Sequence, residues 1–169
     1  MEIKTLDEKF AHELHDIYDA EHRFHEAQQE MLEQATDSTL KSMIKAHIGQ
    51  TEEQIQNLEQ VFSLVGEKSK RVKCDAAAGL VSEGQKTMKS AASVPALLDC
   101  VIAGSASRVE HYEVASYRGL VAGAELMGNQ DVLKLLKANL KQEEQTAKLV
   151  EESTPTLLQK AMKAQESGA

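Results

Sequence analysis

The stretch Arg108-Val109-Glu110-His111-Tyr112-Glu113-Val114-Ala115-Ser116-Tyr117 lies inside a long run with helical hydrophobic period. It nevertheless sets Glu110 and Glu113 where that helix should bury aliphatic side chains. Charged residues are almost never fully buried unless paired, so these carboxylates need a reason. The run that carries them begins at Pro95, a residue suited to the first helical turn, and extends to Met127. Gly128 and Asn129 follow, supplying the stop of one helix and the cap of the next.

Working outward from this helix, the next segment reads as a helix from Gln130 to Glu152 with Val132, Leu136, Leu140 and Val150 inward. Thr154 and Pro155 are expected to break it, leaving a partly disordered amphipathic tail over residues 154–169 after a bundle domain over residues 1–153. Upstream, residues 5–35 form a first long helix, roughly 45 Å at about 1.5 Å per residue. Its inward face carries Leu6, Phe10, Leu14, Ile17, Phe24, Met31 and Ala35. A short turn at Thr36, Asp37 and Ser38 leads to a second helix from Thr39 to Val65, closed by Gly66. Between the hairpins, Glu67 to Val94 opens with Lys68, Lys70, Arg71 and Lys73 and carries a shorter helix over Asp75 to Lys89.

Hairpin, long crossover, hairpin is the connectivity of an all-α, ferritin-like four-helix bundle whose crossover carries an additional short helix. Composition agrees: the 169 residues contain two prolines, three Phe, three Tyr and no Trp. The formal charge of -8 argues against a nucleic-acid surface, and no apolar run is long enough to span a membrane. With no signal-peptide pattern at Met1 to Glu8, a cytoplasmic location is expected. Cys74 and Cys100 are too few for a disulfide framework and read as reduced thiols.

Advancing about 100° per residue places Glu21 in the middle of the stripe of Phe10, Leu14, Ile17 and Phe24. Glu113 is centred among Ile102, Ala106, Val109 and Leu120, and Glu110 lies towards one edge of the same stripe. On the last helix Glu143 is centred between Leu136, Leu140, Ala147 and Val150. The second helix offers His47, Gln50, Thr51 and Gln54 inward and no centred Glu, since Glu53 is turned about 110° away. Ala20-Glu21-His22 and Val109-Glu110-His111 form a short echo between the two hairpins.

Converging carboxylates in a dry interior repel one another and must be protonated, solvated, paired or bound to a cation. No inward Lys or Arg is available, and mixed carboxylate and imidazole ligation suits iron, manganese or zinc. Any one inward Glu more often reaches solvent at a stripe edge, and a lone His47 is more often a hydrogen-bonded core residue. Three helices in agreement make the metal reading competitive. His12, His15, His22 and His111 point away from the stripes and read as surface residues. Tyr117 is near enough to hydrogen-bond a ligand carboxylate.

Asp19-Ala20-Glu21, His47 followed by Thr51, Lys73-Cys74 with Gly79-Leu80, Val109 to Tyr117, and Leu135-Leu136 followed by Glu143-Glu144 resemble the YciE/YciF family of bacterial ferritin-like stress proteins. The resemblance implies a ferritin-like bundle, commonly a homodimer, with a candidate dinuclear metal site and a link to stress responses. On the inward residues themselves, Glu21, Glu110, Glu113 and Glu143 are expected to ligate iron or manganese that acts on oxygen or peroxide, with His47 and Gln50 as supplementary ligands or as supports behind the ligands. Where that family usually has Glu, this chain has Gln50, whose neutral amide contributes no charge. The alternative is a non-catalytic helical stress or assembly protein with a degenerate or empty site. No nucleic-acid or membrane partner is expected.

Overall fold

Thr5 accepts a hydrogen bond from the Glu8 N–H while the Thr5 N–H donates to the Glu8 carboxylate. This reciprocal cap starts α1 (Leu6–Gln34) in the computed structural model, which describes residues 3–167. Asp37 caps α2 (Ser38–Val65) by accepting from the Thr39 and Leu40 amides. Gly66 ends it in the left-handed region at φ 74°, a conformation that favours glycine. Cys74 caps α3 (Asp75–Ala91), Pro95 opens α4 (Pro95–Met127), and Gly128 at φ 72° separates α4 from α5 (Gln130–Ser167).

The long helices pack in a ring, α1 against α2, α2 against α5, α5 against α4 and α4 against α1. Helix α3 lies over the α1 and α4 side of that ring. This is the ferritin-like bundle, and the additional helix sits in the crossover as expected. Two apolar clusters fill it. One joins Phe10, Leu14, Ile17, Leu58, Phe62, Leu120 and Leu136; the other joins Met31, Leu40, Ile44, Leu98, Ile102, Val150 and Leu157. On α2 and α5 the buried polar residues, His47, Thr51 and Gln54 on one and Asn139, Glu143 and Thr146 on the other, fall between these clusters, which places a polar layer at mid-height of the bundle.

Two buried aspartates tie the connections to the bundle. Asp99 accepts from Thr36 N (2.7 Å), Thr36 Oγ1 (2.6 Å) and Asp37 N (3.0 Å), fixing the α1–α2 turn against α4. Asp19 accepts from Arg23, from Arg71 and from Cys74 N at 2.9 Å, which anchors the basic start of the crossover and the cap of α3. Burial works to raise the Asp19 pKa, but these donors outweigh it and hold the carboxyl below its ordinary value.

Three expectations are corrected. Leu6, the first residue of α1, is not inward but 47% exposed. His15 and His22 are half-buried rather than free surface groups, His15 against Phe62 and His22 against Tyr18. The break at Thr154 and Pro155 does not occur: α5 continues to Ser167. Pro155 removes one intrahelical donor, and the Ser153 and Thr154 hydroxyls donate to Val150 O in the same turn. Beyond it Leu157 and Ala161 are buried, and Lys160 pairs with Asp37. Tertiary packing therefore overrides the local breaker. Gly168 and Ala169, the end of the expected tail, lie outside the described residues.

Candidate metal centre

Helix α4 presents Glu110 and Glu113 one turn apart, α5 presents Glu143, and α2 presents His47. One ligand atom from each of these four residues lies within 4.8 Å of all the others. Donors held at about 2.1 Å by one cation are at most roughly 4.2 Å apart, so small side-chain adjustments would close the set around an ion. Glu110, expected at the edge of its stripe, is as buried as the centred residues, because α5 packs along that side of α4.

Glu21 faces the same interior from α1 and is fully buried. It stands outside the group of four mutually close residues. Its Oε1 accepts from the Tyr117 hydroxyl, the partnership that the sequence suggested for this tyrosine. Asn139 Nδ2 then donates to the Tyr117 oxygen at 3.0 Å and to Gln54 O at 3.2 Å. Gln54 Nε2 donates to Glu143 Oε1, so one Glu143 oxygen is already held.

Gln50 takes a different position from the carboxylates. It is only half-buried, and its Oε1 accepts from His47 Nδ1 at 3.1 Å. Thr146 Oγ1 lies 3.2 Å from the same nitrogen. An amide oxygen can only accept, so this contact places a proton on Nδ1 and aims Nε2 at the carboxylates. Gln50 thus orients a candidate ligand instead of joining the cluster. Glu53 is exposed and accepts from Gln142, as its angle on the helix implied.

The electrostatics are those of excess buried negative charge. Burial, assisted by Glu110, pushes the Glu21 carboxyl up to about 8, against the opposing effects of Tyr117 and His47. Burial and then the Glu143, Glu21 and Glu110 charges raise Glu113 well above the carboxylate range. Glu143 is raised likewise, by burial first and Glu110 next. For His47, burial favours the neutral ring, yet Glu110 prevails and the net shift is upward. Among the described residues, the ion pairs of these carboxylates are with His47 alone.

The donor atoms fit a metal ion on a second count. Glu21 Oε2, His47 Nε2, Glu110 Oε2, both Glu113 oxygens and Glu143 Oε2 are buried and lack hydrogen-bond partners. Unpartnered buried polar atoms are costly, and a divalent cation would satisfy several together. Sequence reasoning missed the parts played by Asn139 and Thr146, both buried on α5. The signal was present: they stand four residues before and three after Glu143, on one helical face.

A four-helix ring made of two hairpins, with carboxylates and an imidazole converging at mid-height, defines a ferritin-like helical bundle. Within that class the chain belongs to the family described as a domain of unknown function, DUF892, which it matches over residues 5–163. It is 34% identical to protein YciF of Escherichia coli strain K12 over 147 residues, 86% of this chain and 88% of that one. The crystal structure of the E. coli stress protein YciF superposes with a TM-score of 0.87 and 31% identity, covering 94% of this chain and 99% of that chain. YcfI of Rhodopseudomonas palustris, provisionally named a structural protein, matches with a TM-score of 0.85 and 37% identity over 89% of this chain and 95% of its own. No helix among the described residues is long and apolar enough to cross a membrane.

Proposed function

We propose that this YciF-like protein binds iron or manganese through His47, Glu110, Glu113 and Glu143 and acts on oxygen or peroxide in a bacterial stress response. The observation that carries this reading is the convergence of unpartnered, buried donor atoms from α2, α4 and α5 on one point. Glu21 stands beside them with one free oxygen, available to a second ion. The working unit in this proposal is a cytoplasmic homodimer.

A bound ion would supply one-electron redox chemistry with oxygen or peroxide. The chain's own residues supply the setting. Gln50 and Thr146 hold the His47 ring with Nε2 inward. Gln54 fixes the Glu143 carboxylate, while Tyr117 and Asn139 fix Glu21. The apolar clusters above and below the polar layer limit water access. Anaerobic titration of the metal-free protein with ferrous or manganous ion, followed by metal analysis after gel filtration, tests the reading. Retention of one or two ions per chain is expected; no retained metal at several equivalents would overturn it.

A second reading has specific support. Gln50 and Thr146 occupy positions where ionisable ligands would strengthen the site, and Gln54 already engages one Glu143 oxygen. These features favour a non-catalytic helical protein with a degenerate site, and the provisional name of YcfI points the same way. The titration separates the two.

A further inference from the structure

Beside the polar layer lies a cavity of about 30 Å³ whose wall is apolar almost throughout. Phe24, Met31, Ile44, Met43, Ala106 and Val109 form most of that wall, and His47 and Glu110 close its inner side. The volume exceeds what one water needs, about 10–15 Å³ on the same measure. A buried water also needs two to four polar partners, and almost none of the surface exposed to this cavity is polar. Gln28 is bonded to Thr51, and Thr146 to His47, Gln50 and Gln142.

We propose that this cavity is a holding site for dioxygen, a small uncharged apolar gas, delivering it to the His47 and Glu110 side of the cluster. The role at the cluster rests on the metal-binding reading above; the cavity's preference for an apolar gas does not. Hydrogen peroxide needs hydrogen-bond partners that the wall does not supply, so the cavity selects against it. Unbranched Met31 and Met43 let the wall adapt to an occupant slightly larger than the resting space. Two of the walls come from α1 and α2, and the others from α4 and α5, so the site exists only where the two hairpins meet.

Xenon, an apolar probe of comparable size, tests the inference on the metal-free protein. Xenon-129 NMR or crystals under xenon pressure should show one bound atom in contact with Met31, Ile44 and Val109. Ala106→Leu, which fills the cavity from a half-buried position, should abolish that signal, while Val109→Ala should strengthen it. Ordered waters in place of xenon, or undiminished binding in Ala106→Leu, would overturn the inference. If Ala106→Leu does not fold, the Val109→Ala comparison decides alone: a gain supports the proposal and no change refutes it. In metal-loaded protein, Ala106→Leu should slow oxygen-driven oxidation several-fold more than peroxide-driven oxidation. Xenon binding without metal retention would leave the cavity standing and remove the metal reading. Metal retention without xenon binding would do the reverse.

Discussion

The Nε2 atom of His47 lies 3.2 Å from Oε1 of Glu110 and makes no hydrogen bond. The same nitrogen lies 3.8 Å from Oε2 of Glu143, so it stands between carboxylates from α4 and α5. Glu113 adds another carboxylate on the next turn of α4.

Glu113→Gln should stabilise the metal-free protein by roughly 1–3 kcal/mol at neutral pH, because the amide replaces a carboxyl that burial and three neighbouring charges force to take up a proton. The same variant should lose most of its metal-induced rise in Tm. Calorimetry with and without manganous ion measures both. A destabilised metal-free variant would mean that Glu113 is held by partners that the structure does not show.

Stability of the metal-free protein should fall as pH rises from weakly acid to weakly alkaline. In the unfolded chain a glutamate titrates near about 4.3, whereas folded Glu21 is raised to about 8. The folded state therefore keeps a proton that the unfolded chain has lost. This contribution is complete below the unfolded value and disappears as pH passes the folded one. Glu113, Glu143 and His47 shift in the same direction. Asp19 and Asp37 shift downward and act oppositely, in the acid range only. Metal-induced stabilisation should grow over the same rise, since ligation expels those protons. Thermal melts at constant ionic strength, with and without metal, give both slopes.

Gln50→Ala should weaken metal affinity by about 10-fold or more without changing stoichiometry, since it removes the acceptor that holds His47 Nδ1. Gln50→Glu should restore or increase affinity by adding charge and retaining an acceptor. Competition titration with a chromophoric chelator reads the difference. Equal affinity in Gln50→Ala would show that Thr146 alone orients the ring.

Asp99→Ala should destabilise the protein by about 2–4 kcal/mol, because Thr36 N and Asp37 N lose a charged acceptor beside α4. Metal stoichiometry should not change, as the latch lies at the end of the bundle and the cluster at mid-height. Denaturant melts and metal analysis on one preparation separate the effects.

Much of the candidate centre was legible because it lies on helices. Rotation by about 100° per residue puts Glu21, Glu113 and Glu143 inside apolar stripes, and that arithmetic requires no partner helix. Glu110 was harder, since whether a stripe edge is buried depends on where the neighbouring helix crosses. The role of Gln54 was not legible at all, and for Gln50 the sequence left open whether it ligates or supports a ligand. Both face inward, yet one orients His47 and the other holds Glu143. Contacts between residues 89 positions apart, as in Gln54 and Glu143, have no local signature.

The sequence by itself determined the helices, their order, the hairpin–crossover–hairpin connectivity and the inward carboxylates, because hydrophobic period and caps act over a few residues. Only the tertiary structure decided which donors meet. It brought His47, Glu110, Glu113 and Glu143 together, left Glu21 beside them, and turned Gln50 into a support. It also carried α5 through Pro155, because burial of Leu157 and Ala161 and the pairing of Lys160 with Asp37 outweigh one missing hydrogen bond. Packing between distant helices sets the distances on which ligation depends, and no short stretch of chain encodes them.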